Sequence, residues 1–116
     1  MVALKNIAGL MSGDGILFLD VNNRYNVTHY GLMSVLRNII KDIFISDDSN
    51  GDFDLNFNTE KGQIHTKVHI FSPSEIESLV KTAGFVILKR KIINYKTGRK
   101  SSSVLGGQLV YKLCKI

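Results

Sequence analysis

The sequence predicts a single mixed α/β domain, and three observations carry that expectation. Apolar residues recur at helical spacing in three stretches, alternate with polar residues in a fourth, and form short unbroken runs in others. At 116 residues the chain has the length of one domain, with no Pro-rich linker and no internal repeat. A 44% hydrophobic and 22% charged composition excludes disordered, fibrous and disulfide-scaffold classes.

Leu4, Ile7, Leu10 and Met11 share one face of a first helix over residues 3–11. Gly13-Asp14-Gly15 is expected to end it, because two glycines there can adopt positive φ. Ile16-Leu17-Phe18-Leu19 follows, apolar at every position. Such a run fits a central strand of a parallel sheet, covered on both faces. A polar loop, Asp20-Val21-Asn22-Asn23, comes next.

Leu32, Val35, Leu36, Ile39, Ile40 and Ile43 define the clearest helix, with Arg37, Lys41 and Asp42 on its polar side. It should stop near Phe44 or Ile45, before the turn formers Ser46 to Gly51. Phe53, Leu55 and Phe57 then alternate with polar residues, as do Ile64, Thr66, Val68 and Ile70 after Thr59-Glu60-Lys61-Gly62. This is the pattern of an antiparallel hairpin with one apolar face. Ser72-Pro73-Ser74-Glu75 supplies an N-cap, a proline at the first helical position and a capping-box glutamate. Ile76, Leu79, Val80 and Ala83 form the stripe of that helix, and Gly84 ends it. Phe85 to Leu88 begins a strand that can continue through Ile92-Ile93; Thr97 to Ser103 reads as a basic turn. Val104 to Leu113 is the last strand, with a bulge expected at Gly106-Gly107. These helices are few for covering both faces of residues 16–19, which suggests a self-association surface or a missing part.

Charge is unevenly placed. Residues 1–85 sum to −3, whereas residues 86–116 carry eight Lys or Arg and no acid. The basic end is either a solubilising surface or an attractor of nucleic-acid phosphates or an anionic membrane surface. Aromatics interleave poorly with it, only Tyr95 and Tyr111. The longest unbroken apolar run is far too short to cross a bilayer, and no signal peptide is legible. A single cysteine, Cys114, makes the reducing cytoplasm the expected compartment. The sequon Asn26-Val27-Thr28 is then fortuitous.

The segment from Leu4 through Gly13-Asp14-Gly15 into Ile16-Leu17-Phe18-Leu19-Asp20 resembles the approach to the fifth strand of class I S-adenosylmethionine-dependent methyltransferases. Ser12 stands where that family usually has proline. His69-Ile70-Phe71-Ser72-Pro73-Ser74-Glu75-Ile76, continuing through Leu79-Val80 to Ala83-Gly84-Phe85, is similar to a second recurring stretch of the family. The resemblance spans nearly the whole chain. It implies the C-terminal half of a doubly wound, Rossmann-like sheet, with an added hairpin at about 52–71 and the last strand inserted antiparallel between its neighbours. It also implies methyl transfer from S-adenosylmethionine to an unidentified acceptor. The family's Gly-x-Gly cofactor loop follows a strand in its N-terminal half, whereas Gly13-Asp14-Gly15 precedes one. The resemblance therefore implies no cofactor-binding residue here, and a truncated product or one part of a split enzyme, inactive alone. The partner would be the missing N-terminal half or another copy.

By position in that family, the loop after the fifth strand and the insertion before the sixth line the acceptor pocket. These are Asn22, Asn23, Arg24, Tyr25, His29 and Tyr30, then the hairpin end at His69 and Phe71. Methyl transfer depends mainly on aligning the nucleophile. His29 or His69 can supply a base if the acceptor must lose a proton, and either can equally be structural. Two alternatives stay open: a non-catalytic assembly module pairing through its sheet edge, and nucleic-acid binding through the basic end. Residues 46–57 fail as a calcium loop because Phe57 stands where a bidentate glutamate is required. His65 and His69 lie too far apart along a strand for a compact metal pair, and Cys114 reads as a buried thiol.

Overall fold

A computed structural model describes residues 1–116. Helix α1 (Val2–Leu10) leads through a glycine turn into β1 (Ile16–Val21). A short α2 (Val27–Tyr30) and the longer α3 (Leu32–Phe44) follow, then a 3-10 turn at Asp48–Gly51. The hairpin β2 (Asp52–Thr59) and β3 (Gly62–His69) precedes α4 (Pro73–Thr82). The chain closes with β4 (Phe85–Asn94), β5 (Arg99–Ser101), a 3-10 turn at Val104–Gly106, and β6 (Gln108–Lys115).

The main sheet has the order β1-β6-β4-β5, with every pair antiparallel. The last strand thus lies between β1 and β4, and β1 is an edge. Leu109, Tyr111 and Leu113 of β6 are fully buried and form the centre of the core. Ala8 of α1, Ile76 and Val80 of α4, Ala83, and Phe85 and Ile92 of β4 complete it. The capping box at Ser72 and Glu75 forms as its sequence implies: the Ser72 side chain accepts from Glu75 N, and Glu75 Oε2 accepts from Ser72 N. The hairpin register pairs Phe53 with Val68, Leu55 with Thr66 and Phe57 with Ile64, which gives it the one apolar face expected.

Four expectations are corrected. First, β1 is not a central strand of a parallel sheet. Its exposure alternates, with Leu17, Leu19 and Val21 turned to the core and Phe18 70% exposed on the opposite face. An antiparallel edge strand needs cover on one face only, and an unbroken apolar run cannot reveal which. Second, the apolar stripe of α3 is largely in solvent: Val35 is buried, but Leu36, Ile40 and Ile43 are exposed. Third, the bulge lies in β4, where register shifts between Ile87 and Lys89. Gly107 serves instead a close backbone approach, since a Cβ there would stand 2.2 Å from the Ile93 carbonyl oxygen. Fourth, the basic stretch read as a turn contains β5, paired with the end of β4. No helix is long and apolar enough to cross a membrane.

Candidate functional site

The carboxyl end of β1 runs straight into the loop that the sequence singles out. Asn23 bolts this loop to the far end of β6. Its Nδ2 donates to the Val104 and Gly107 carbonyls at 2.7 and 2.8 Å, and its Oδ1 accepts from Tyr25 N at 3.0 Å. Its own backbone N–H donates to Gln108 Oε1, and Gln108 Nε2 donates to Asn22 Oδ1. Asn23 is fully buried, with both Nδ2 hydrogens donated and Oδ1 accepting from Tyr25 N, so it shapes the loop. The next residue, Arg24, donates its backbone N–H to the Phe71 carbonyl at 2.9 Å, which clips the loop to the start of α4. Asn26 caps α2 by accepting from Thr28 N and Oγ1. It is buried, so its sequon has no accessible acceptor nitrogen.

Arg24 then turns its side chain inward, where it is 5% exposed. Its Nη2 lies 3.2 Å from Asp42 Oδ2 of α3 and 3.4 Å from Glu75 Oε2 of α4. Its Nε and Nη1 are buried without partners. Tyr25 donates its hydroxyl to the same Asp42 oxygen at 2.5 Å. Burial and this bond push the Tyr25 pKa up to about 12. On the other side, Glu75 Oε1 is 2.7 Å from His69 Nε2, and His69 Nδ1 is 2.7 Å from Asp52 Oδ1. A continuous polar chain therefore runs Asp52–His69–Glu75–Arg24–Asp42–Tyr25. It joins the hairpin, α4, the β1 loop and α3. Burial alone would lower the His69 pKa, but hydrogen bonds to Asp52 and Glu75 and their negative charges outweigh it and hold it above the ordinary value. With both ring nitrogens engaged, His69 is a positioning group here and not a free base.

Beside this chain lies a polar cavity of about 160 Å³. Arg24, Tyr25, Asp42, Asp47, Asp48 and Glu75 line it with several serines. Hydrogen bonds from the Ser49 backbone and hydroxyl hold the Asp47 pKa below its usual value, so it stays an anion. The cavity has room for a few waters or one small polar group. No group of three or more His, Cys, Asp or Glu is placed to hold a metal ion.

Of the candidates from the sequence, Arg24, Tyr25 and His69 meet in one network. Asn22 and Asn23 face β6 instead. His29 and Tyr30 form a separate aromatic cluster on α2, ring centroids 4.6 Å apart and edge to face, with Tyr30 stacked on Phe53 at 6.4 Å. Phe71 packs edge to face with His69 at 4.9 Å.

The chain matches no family model, no curated protein and no solved structure.

Three contributors escaped the sequence reading. In the sequence Asp42 reads as part of the polar face of a helix, Glu75 as a capping-box residue, and Asp52 as one of the polar positions that alternate with Phe53, Leu55 and Phe57. The signal that could have found them is charge balance: a cation held in the core needs carboxylates around it. Asp42 is the sole acid of α3.

Proposed function

We propose that this chain is the acceptor-side half of an S-adenosylmethionine-dependent methyltransferase, completed by a segment that adds to the free edge of β1. The observation that carries the reading is the strand order. The last strand inserts antiparallel between β1 and β4, and the strand left at the edge is the one whose following loop gathers the polar network. That arrangement agrees with the resemblance of residues 4–20 and 69–85. Surface area supports the idea of a completing partner. The chain exposes 7761 Å², about 1,400 Å² more than a compact monomer of its mass is expected to show. Much of the excess is apolar: Met33, Leu36, Ile40, Ile43 and Phe44 on α3, and Phe57 and Ile64 on the hairpin.

In this reading the chain's residues position the acceptor and leave cofactor binding to the partner segment. Asn23 fixes the loop, Arg24 ties that loop to α3 and α4, His69 ties the hairpin to α4, and the cavity beside Tyr25 takes the acceptor's polar end. Asp42, Asp47, Asp48 and Glu75 outnumber the one guanidinium there, so an amine-bearing acceptor is favoured over an acid.

The test is calorimetric titration of S-adenosylmethionine and S-adenosylhomocysteine into the chain alone and into the chain joined to the polypeptide encoded immediately upstream. Micromolar binding by the joined protein, with none by the chain alone, is the expected result. A joined protein that folds and binds neither compound would sink the reading.

A second reading is favoured by the exposed α3 stripe and the free β1 edge: a non-catalytic module that assembles with its own copies. Mass in solution separates the two. A stable oligomer dissociated by Ile40→Asp, with no cofactor binding in any form, would favour assembly.

A further inference from the structure

The face of the main sheet opposite α1 and α4 carries no helix, and its chemistry is specific. Three residues stand in one row across three strands: Phe18 of β1 pairs with Lys112 of β6, and Lys112 pairs with Lys89 of β4. Lys91 stands two residues along from Lys89 on the same face, opposite Val110. With Val110, these four side chains line a depression of about 230 Å³. Lys100 of β5, paired with Ile93, adds a fourth cation further along that face.

None of these lysines has a carboxylate partner, although Arg24, Arg90 and His69 elsewhere all do. The acid on this face, Asp20, accepts a hydrogen bond from Tyr95. Lys89 and Lys112 stand directly opposite each other, an arrangement that costs a sheet stability. A bound anion would remove that repulsion. Neighbouring strands lie about 4.8 Å apart and alternate residues about 6.6 Å apart. The lysines therefore form a compact two-dimensional array next to an exposed aromatic ring, which suits a chain of phosphates carrying planar bases.

We propose that this open sheet face binds single-stranded nucleic acid, with one base stacked on Phe18 and phosphates on Lys89, Lys91 and Lys112. A membrane surface is the weaker fit. Lipid docking scales with the apolar area it buries, whereas the side chains around this depression are mostly lysines beside one exposed ring. The inference does not rest on the methyltransferase reading, which concerns the loop beyond β1 and the edge of that strand.

The test is fluorescence anisotropy of a labelled oligouridylate of about ten nucleotides titrated with the full chain. Three phosphate contacts predict a log–log salt slope of about −2, hence roughly twentyfold weaker binding at about 200 mM than at about 50 mM salt. Phe18→Ala should weaken binding about tenfold at unchanged slope, and Phe18→Tyr should restore it. Lys89→Ala, Lys91→Ala and Lys112→Ala should each flatten the slope by about 0.7, while Lys96→Ala in the turn beyond β4 should leave the slope unchanged. All these side chains are exposed, so none of the variants should lower the parent's thermal transition, and Lys89→Ala and Lys112→Ala should raise it slightly by relieving their repulsion. Absence of binding at low salt would overturn the proposal. So would binding indifferent to Phe18 and the face lysines, or binding to anionic phosphatidylserine vesicles without binding to the oligonucleotide.

Discussion

Gly51 leaves the space that the guanidinium of Arg24 occupies: a Cβ at Gly51 would stand 2.4 Å from Arg24 Nη1 and 2.4 Å from the Ile70 carbonyl oxygen. The backbone of the 3-10 turn at Asp48–Gly51 lies directly over the buried cation, and Ile70 N donates to the Gly51 carbonyl at 2.8 Å. Gly51→Ala therefore forces backbone or the ion-paired arginine to move. We expect a loss of about 2 kcal/mol or more, typical of overpacking against atoms that cannot yield. Urea unfolding should show a lower midpoint at unchanged slope. A variant as stable as the parent would mean that the turn is free to lift away from Arg24.

Breaking the ion pairs themselves should cost more than crowding them. Arg24→Ala would strand Asp42 and Glu75 near each other with no cation between them. Removing one partner of a buried pair costs about 3–5 kcal/mol, and the partial exposure of both carboxylates places this case at about 3. Arg24→Met, which restores the volume, should recover only part of the loss, because Asp42 stays without a cation while Glu75 keeps only His69. If Met equalled the parent, the network would contribute geometry and no net energy.

Asn23 allows a sharper test, because Ala and Asp make opposite errors there. Ala leaves the Val104 and Gly107 carbonyls without a donor, a cost of about 2 kcal/mol. Asp presents those carbonyls with an acceptor in a fully buried site, so it adds electrostatic repulsion to the same loss. The expected order of denaturation midpoints is parent, then Ala, then Asp. An Asp variant more stable than Ala would contradict the hydrogen-bond assignment of this amide.

The elements most legible in the sequence were those fixed locally. The capping box at Ser72 and Glu75, the hairpin alternation and the helix over 32–44 depend on neighbours within a few residues. What decided the site was not local. Arg24 meets Asp42, Glu75 and Gly51 across separations of 18 to 51 residues in the chain. No periodicity encodes that meeting, and only the need to neutralise a buried cation hints at it. The face that β1 exposes was illegible for a related reason. Ile16-Leu17-Phe18-Leu19 is apolar on both sides, and which side meets the core depends on where β6 docks.

The α3 stripe converts that ambiguity into a measurement. At helical spacing, Leu36, Ile40 and Ile43 read as core, and a buried Ile replaced by a smaller or polar residue costs about 2–5 kcal/mol. In the fold Ile40 and Ile43 are 55% and 69% exposed. Ile40→Gln and Ile43→Gln should therefore change the stability of the isolated chain by no more than about 0.5 kcal/mol. The same changes should weaken any association that uses this helix. A large loss in dilute, monomeric protein would show that α3 packs inward in solution.

His69 supplies a dependence on pH with a definite sign. Its two bonds, to Asp52 and Glu75, are stronger when the ring is charged, and they raise its folded pKa above the unfolded value of about 6.5. A raised pKa means that the folded state binds the proton more tightly than the unfolded state. The stabilisation is therefore complete below about pH 6.5 and is lost as pH rises through the folded value. Thermal or urea unfolding followed from about pH 6 to 9 should show stability falling across that window. His69→Asn, unable to carry charge, should be less stable at the acidic end and should lack the slope attributable to this ring. A parent and variant with parallel profiles would mean that the Asp52–His69–Glu75 bridge is not charge-assisted.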